Sequence, residues 1–298
     1  MQLFRTLAKS QYITIPLLPL KRKRVETGKD RLYTLHINIL SLIAFLLVLP
    51  NGAVAQQDNA RANKGVAEPL GIDRKDRLSS QMADQATVLT LYSSQACAFC
   101  PEADRFFTRL VEQTDIIALA CHIDYFDVST GALSESFCTK RQQRQVAHIP
   151  GAMIYTPQLI INGRYDVVGH KYQRVADQLI AAVAQDNVSR LDITEETDNK
   201  GVYQFILPQH DFTGEGSLWL AVYDEPHELE IAEGTNKGKN MEYVHVVSVL
   251  EKLGPWDGSA RTVEADLAPR DTHAGFVIWG EDSTGKILAA GEYRLRDQ

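Results

Sequence analysis

The chain has 298 residues, of which 44% are hydrophobic and 23% charged, so its composition is that of a globular protein and excludes a disordered chain or a multi-span membrane protein. Its net charge of −7 is unevenly divided, because residues 1–55 hold eight Lys or Arg against two Asp or Glu and leave about −13 on residues 56–298. A body this acidic repels phosphate backbones, so we expect no nucleic acid among its partners.

The first 55 residues have the layout of a secretory signal peptide with an over-long N-terminal extension. A basic segment that includes residues 21–24 precedes an apolar stretch over residues 37–49, and a small-residue site predicts cleavage between Ala55 and Gln56. Thirteen residues at about 1.5 Å each cannot cross a hydrocarbon core of about 30 Å, so we expect no stable membrane anchor. The sequence therefore predicts a periplasmic or secreted protein and leaves the true translation start open.

The rest of the chain divides into three parts by its pattern of apolar residues. Residues 56–85 are polar without a sustained period, which predicts a flexible linker. Residues 86–187 alternate apolar runs with amphipathic stretches, and residues 188–298 carry six or more short apolar runs separated by turn signals. The predicted helices are residues 97–112, 134–147 and 172–184, and the predicted strands are 88–92, 116–121, 159–161, 165–168, 202–207, 217–223, 243–250, 261–267, 275–280 and 287–295.

A CxxC pair, Cys97 and Cys100, lies at the predicted junction of the first strand and the first helix. The first turn of a helix favours a thiolate on Cys97, and Cys100 lies on the same face, where it can attack a mixed disulfide on Cys97. Thr156-Pro157 precedes the predicted hairpin, where thioredoxin-like proteins hold a substrate-binding cis proline beside the dithiol. We therefore expect an α/β thioredoxin-like domain over residues 86–187, followed by an all-β sandwich-like domain over residues 188–298.

Three functions for the CxxC pair stay open. The first is a catalytic dithiol of a thiol-disulfide oxidoreductase, with exported proteins that carry thiols or disulfides, and a redox partner, as its partners. The second is a structural disulfide in a non-catalytic binding or adaptor protein. The third, a metal-binding chaperone, is the weakest, because zinc prefers four N or S ligands and only Cys121, His122 and Cys138 could join the pair. We expect no metal and no cofactor.

Polar side chains follow the second predicted strand. His122, Asp124 and Asp127 lie at the carboxyl edge of the parallel strands, where open α/β sheets hold their sites. One of them could carry the proton of a buried Cys100 thiol, and the alternative is a loop with hydrogen-bonded carboxylates. Leu91 occupies the position six residues before the CxxC pair, where thioredoxins often bury an acid, so the proton carrier stays unassigned.

Four motifs carry a resemblance to a known family: SSQACAFCPEAD over residues 93–104, IALACHIDYFD over 117–127, YTPQLIINGR over 155–164, and GTNKGKNMEYVHVV to GPWDG over 234–258. Residues 87–298 resemble a family of uncharacterised secreted bacterial proteins with a thioredoxin-like domain, a domain of unknown function. The resemblance implies a thioredoxin-like domain fused to a β-rich one and a CxxC at Cys97 and Cys100. It supplies no substrate.

This chain departs from that family at Cys121, usually an aromatic residue, at Cys138, usually another residue, and at Phe126, where a Trp is expected. Cysteines of exported proteins usually form disulfides, because the compartment is oxidising. Cys121 ends the second predicted strand, and Cys138 lies on a helix that must pack back over the sheet, so we expect a structural disulfide between them. Two buried free thiols are the alternative.

Overall fold

The computed structural model describes residues 85–126, 133–198, 200–267 and 270–295, which all belong to one compact unit. The predicted signal peptide and almost all of the predicted linker lie outside the described residues. Among the helices that the structure describes, none is both long and apolar enough to span a membrane.

The described residues contain three helices and fourteen strands. The helices are α1 (Cys100–Gln113), α2 (Ser136–Val146) and α3 (Tyr172–Gln185). The strands of the first half are β1 (Val88–Ser93), β2 (Ile117–His122), β3 (Gln158–Ile161) and β4 (Tyr165–Val168). Those of the second half are β5 (Ser189–Arg190), β6 (Ile193–Glu195), β7 (Val202–Leu207), β8 (Gly216–Asp224), β9 (His227–Glu230), β10 (Asn240–Tyr243), β11 (Val247–Trp256), β12 (Arg261–Asp266), β13 (His273–Glu281) and β14 (Ile287–Arg294).

Four strands form a mixed sheet in the order β2-β1-β3-β4. β1 and β2 run parallel, and β3 is antiparallel to both β1 and β4. All six residues of β1 are buried. Because alternate residues of a strand face opposite sides of the sheet, both faces of β1 are covered. On one side Leu91 packs in a cluster with Phe107 of α1 and Leu179 of α3, and on the other side Tyr92 packs in a cluster with Trp279 of β13.

The strands of the second half form three further sheets. A five-stranded sheet has the order β11-β8-β13-β14-β5, a three-stranded sheet the order β12-β7-β6, and β9 pairs with β10. β8 again buries both faces. Its Ala221 joins the cluster shared with the first half, whereas its Leu220 packs in a separate cluster with Phe205 of β7 and Val263 of β12.

The segment that follows β10 extends the edge of the four-stranded sheet. Val246 forms a parallel β-bridge with Ala120 of β2, and the Ala120 N–H donates to the carbonyl oxygen of His245 at 2.9 Å. His245 Nδ1 lies 2.9 Å from the carbonyl oxygen of Ala118. These contacts hold the segment between β10 and β11 beside β2.

A buried ion pair also joins the two halves. Arg141 of α2 donates to both carboxylate oxygens of Glu281 of β13, which is fully buried, and Arg144 lies 3.3 Å from the same carboxylate. Burial alone would raise the pKa of Glu281, but the charge and hydrogen bonds of Arg141 hold it below its ordinary value. The Arg141 guanidinium also lies over the rings of Trp219 and Trp279, 4.9 and 5.3 Å from their centroids.

The predicted fold class, an α/β thioredoxin-like domain followed by an all-β sandwich-like domain, is wrong for this chain. Most of the regular secondary structure in the described residues is β-strand, distributed over several mixed and antiparallel sheets with only three helices, and a β-rich fold agrees with the second half alone. The strand and helix periods used in the prediction are local, so they located single elements but did not determine the class of the whole. The domain limits at residues 86–187 and 188–298 stay a prediction.

Candidate functional site

Cys97 and Cys100 lie where β1 leads into α1. The Cys97 N–H donates to the carbonyl oxygen of Ser94 at 3.1 Å, and the Cys100 N–H donates to that of Cys97 at 3.2 Å. The helix begins at Cys100 and not at the predicted Cys97, and Pro101 fits its first turn, where no N–H is needed. Both cysteines are free, and Cys97 retains 5% exposure whereas Cys100 retains none.

The two thiols differ sharply in acidity. A hydrogen bond from the Cys100 thiol, assisted by Thr156 and by the backbone N–H groups of Phe99 and Cys100, lowers the pKa of Cys97 to about 6 against the opposing effect of burial. Burial, followed by the nearby Cys97, raises the pKa of Cys100. At neutral pH Cys97 is therefore largely a thiolate, the reactive form, while Cys100 remains a thiol.

The segment around Pro157 lies against the dithiol. The Thr156-Pro157 peptide bond is cis, and the Cys97 thiol lies 3.6 Å from the carbonyl oxygen of Thr156. Gln142 of α2 holds this segment, because its amide donates to the carbonyl oxygen of Tyr155 at 2.8 Å and to the Gln158 side chain at 2.6 Å. The substrate-binding role of Thr156 and Pro157 stays a prediction.

Asp104 is a buried acid that the sequence analysis did not single out. It lies one helical turn after Cys100, on the same face of α1, and its Oδ2 has no hydrogen-bond partner among the described residues. Burial, and then the charge of Cys97, raises the pKa of Asp104 from 3.8 to about 7, although Ser93 favours the ionised form. The charge of Asp104 in turn contributes to the raised pKa of Cys100. The signal that could have found it is the spacing C-x-x-C-x-x-x-D.

The three residues singled out as proton carriers do not share one environment. His122 is buried at the end of β2, and burial followed by the nearby His227 lowers its pKa to about 4, so its ring is neutral at pH 7. The Asp124 carboxylate accepts a hydrogen bond from Thr139 of α2. Asp127 lies outside the described residues. A proton-carrying role for the first two stays a prediction.

Two side chains of the second half lie against the loop before α1 and the end of β2. Asn236, in the loop between β9 and β10, is completely buried, and its Nδ2 donates to the carbonyl oxygens of Gln95 at 2.9 Å and Cys97 at 2.7 Å. Tyr243 of β10 packs edge-on against the His122 ring at 5.1 Å. Burial and then the charge of Asp104 raise the pKa of Tyr243. A local sequence pattern could not reveal the Asn236 contact, because 139 positions separate Asn236 from Cys97.

Five exposed apolar side chains lie on the CxxC segment, on the loop after β2 and on the segment before the cis proline. We call them the apolar rim: Phe99, Tyr125, Phe126, Met153 and Ile154. Phe99 lies between the two cysteines in sequence, and Met153 and Ile154 precede Thr156. Burial first, and then the charges of Cys100 and Cys97, raise the pKa of Tyr125. Among the described residues six large hydrophobic side chains are exposed, and five of them belong to this rim.

The other two cysteines form a disulfide. Cys121 at the end of β2 is joined to Cys138 of α2, the pairing that the sequence analysis favoured over free thiols. The disulfide joins α2, which also carries Gln142 and Arg141, to β2 of the four-stranded sheet. Within the part of the chain that the structure describes, no three His, Cys, Asp or Glu side chains form a group that could hold a metal ion.

The chain has the fold of two solved proteins. An X-ray crystal structure of protein AGR_C_4864 from Agrobacterium tumefaciens matches 72% of this chain and 97% of its own chain, with a TM-score of 0.59 and 22% identity. HBP35 of Porphyromonas gingivalis matches 72% of this chain and 76% of its own, with a TM-score of 0.50 and 11% identity. At these identities the likeness shows the fold alone.

The sequence itself also matches a family model. No curated protein matches the chain. The model described as "Protein of unknown function (DUF1223)" matches residues 88–279, a range that includes the dithiol, Asp104, the cis proline and Asn236. This match covers more than half of the chain, so the chain belongs to the DUF1223 family of proteins of unknown function.

Proposed function

We propose that this protein catalyses thiol–disulfide exchange with exported polypeptides, with Cys97 as the attacking cysteine and Cys100 as the resolving one. The observation that supports this most directly is the asymmetry of the pair. Cys97 has a lowered pKa of about 6 and retains some exposure, whereas Cys100 is fully buried with a raised pKa. An attacking thiolate beside a protonated resolving thiol is the arrangement that disulfide exchange needs.

In the first step the Cys97 thiolate attacks one sulfur of a substrate disulfide. A bond forms between Cys97 and that sulfur, the substrate S–S bond breaks, and the second substrate sulfur leaves as a thiolate that takes a proton from solvent. The enzyme is then held to its substrate by a mixed disulfide.

In the second step Cys100 must lose its proton before it can attack Cys97. Asp104, one turn further along α1 and titrating near neutral pH, is suited to accept it. The Cys97–Cys100 bond then forms, the mixed disulfide breaks, and the substrate leaves as a thiolate. The substrate disulfide has been reduced and the enzyme dithiol oxidised, and a redox partner that carries a dithiol returns the enzyme to its starting state. Run in reverse, the same steps oxidise a substrate.

The apolar rim supports a polypeptide substrate over a small thiol. Its five side chains are exposed on the CxxC segment, the loop after β2 and the segment before the cis proline, and incompletely folded polypeptides expose apolar segments of matching character. The compartment we propose is the periplasm or the extracellular space, since the sequence predicts a signal peptide. Disulfide exchange on exported chains is needed there.

The test begins with the reduction potential of the Cys97/Cys100 pair, obtained by alkylating the purified protein across a series of glutathione buffers. We expect a reversible pair between about −270 and −120 mV, the range of catalytic dithiols. A pair that stays oxidised below about −300 mV would be a structural disulfide, and the protein would then be a non-catalytic binding or adaptor protein.

Two variants then test the assignment of roles. Cys97→Ser should abolish turnover of a disulfide-containing peptide, and Cys100→Ala should accumulate a mixed disulfide of that peptide with Cys97. The matched control is the Cys121→Ser/Cys138→Ser double variant, which removes the other pair and should retain turnover at a temperature where it is folded. Full activity of Cys97→Ser would refute the proposal.

A further inference from the structure

We propose that Asn236 of the second half is a positioning residue of the dithiol, which fixes the loop before α1 so that Cys97 is held in its reactive geometry, and that Lys239 reinforces it. This inference rests on the proposed function for its biological meaning. Its test measures the acidity of Cys97 directly and needs no turnover.

The loop over residues 231–239 is closed by its own backbone hydrogen bonds and buries the side chain of Asn236. Residues 231–239 close on themselves, since the Ile231 N–H donates to the Lys239 carbonyl at 2.9 Å and the Gly238 N–H donates to the Ile231 carbonyl at 2.8 Å. Gly234 and Gly238 have positive φ angles of 77° and 79°, which glycine adopts without strain. The residues on either side of Asn236 are exposed, whereas Asn236 itself is fully buried. An exposed loop with a single buried amide points to a specific role for that amide.

The amide uses both of its donors on the loop before α1. One N–H binds the carbonyl oxygen of Gln95 at 2.9 Å and the other binds that of Cys97 at 2.7 Å. The Cys97 carbonyl also accepts the N–H of Cys100, the first residue of α1. Asn236 therefore fixes both ends of the short turn over residues 95–97 and ties that turn to the start of the helix.

This turn determines which groups surround the Cys97 sulfur. Its lowered pKa results from short-range hydrogen bonds, first from the Cys100 thiol and then from Thr156 and two backbone N–H groups. Hydrogen bonds weaken steeply with distance and misalignment, so a turn that relaxes by a fraction of an ångström loses part of this stabilisation. Removal of the amide should therefore raise the pKa of Cys97 towards that of an ordinary thiol.

Lys239 reinforces the arrangement. Its Nζ donates to Asn236 Oδ1 at 2.9 Å, so a positive charge lies on the acceptor side of the amide whose N–H groups bind the loop. A charged donor polarises an amide and strengthens the hydrogen bonds that the amide donates. The chain Lys239, Asn236, Cys97 thus links a surface charge of the second half to the reactive cysteine.

The test compares the thiolate absorbance of the reduced protein at 240 nm as a function of pH for three variants and the unmodified protein. Asn236→Ala should raise the pKa of Cys97 so that the thiolate fraction at pH 5 falls about tenfold. Asn240→Ala is the matched control, because Asn240 is the same residue type four positions later and is exposed. Lys239→Met, which keeps an unbranched apolar side chain but removes the charge, should raise the pKa of Cys97 by less.

A folded Asn236→Ala variant with the same Cys97 titration as the unmodified protein would overturn the proposal, and so would an equal shift in Asn240→Ala. If Asn236→Ala does not fold, Lys239→Met decides, and an unchanged titration in that variant overturns the proposal. The outcome is distinct from that of the proposed function. A dithiol that glutathione cannot reduce would refute the catalytic proposal. The effect of Asn236 on the Cys97 titration could still be measured in that case, after reduction by a stronger reductant, and would be decided independently.

Discussion

Replacement of Asp104 by Asn should stabilise the fold at neutral and alkaline pH while it slows the proposed chemistry. The carboxyl group is buried beside the dithiol, and its Oδ2 has no hydrogen-bond partner among the described residues. Asn has nearly the same shape and carries no charge, so the substitution removes the cost of burying a carboxylate with little change in packing.

The magnitude follows from the pKa of Asp104, which burial raises from 3.8 to about 7 in the folded protein. Between these two values the folded state keeps a proton that the unfolded state has released, so the free energy of unfolding falls as pH rises through this window. By about pH 8 the full difference corresponds to about 4 kcal/mol. Part of the shift comes from the Cys97 thiolate, so the protein with an oxidised dithiol should show somewhat less, about 2 to 4 kcal/mol.

The assay is urea unfolding of the protein with both disulfides formed, at a series of pH values from 4 to 8. Asp104→Asn should gain stability relative to the unmodified protein as pH rises. Asp115→Asn is the matched control, because Asp115 is exposed just beyond the end of the same helix, and it should stay within about 0.5 kcal/mol at every pH. In single-turnover experiments Asp104→Asn should slow the release of substrate from the mixed disulfide about 100-fold or more.

Two results would refute this reasoning. If the stability difference between Asp104→Asn and the unmodified protein is the same at pH 4 and pH 8, the carboxyl group does not titrate in the window given. If the difference follows pH as expected but the mixed disulfide resolves at the unmodified rate, Asp104 titrates in the folded protein but takes no part in proton transfer.

Three further predictions concern the fold. Glu281→Gln should cost about 3 to 5 kcal/mol at pH 7 in urea unfolding, because it leaves a buried arginine without its counter-charge, and the loss should shrink as pH falls through the lowered pKa of Glu281; a loss that does not change with pH would contradict this. The Cys121→Ser/Cys138→Ser variant should lose about 3 kcal/mol, since the bond closes a loop with a sequence separation of 17, and an unchanged melting temperature would argue against that estimate. Gly163→Ala should destabilise more than Gly238→Ala, by about 1 to 3 kcal/mol, because both have positive φ but an added Cβ at Gly163 alone would clash with the backbone of the loop between β13 and β14; equal melting temperatures would contradict it.

Much of the secondary structure was predictable because its causes are local. The continuous apolar run of β2 predicts a strand buried on both faces, and the Asn162-Gly163 turn predicts the hairpin of β3 and β4. The predicted ends of the helices differ from those observed by up to three residues, since the last turns depend on neighbours. The short strands β5, β6, β9 and β10 were missed. β5 pairs with the distant β14 and β6 with β7, and β9 and β10 pair with each other, although their sequences mix polar and apolar residues.

The site divides in the same way. The sequence by itself determined the CxxC pair at a strand-to-helix junction and the proline that lies opposite it, because each depends on residue type and short spacing. Only the tertiary structure decided that Asp104 is buried, that Asn236 binds the loop before α1, and that the side chains of the apolar rim are exposed. Burial and hydrogen bonding between residues 139 positions apart depend on how sheets pack, and no local periodicity carries that information. The types and spacing of the reactive residues are thus properties of a short sequence segment, whereas their pKa values depend on contacts that the fold creates.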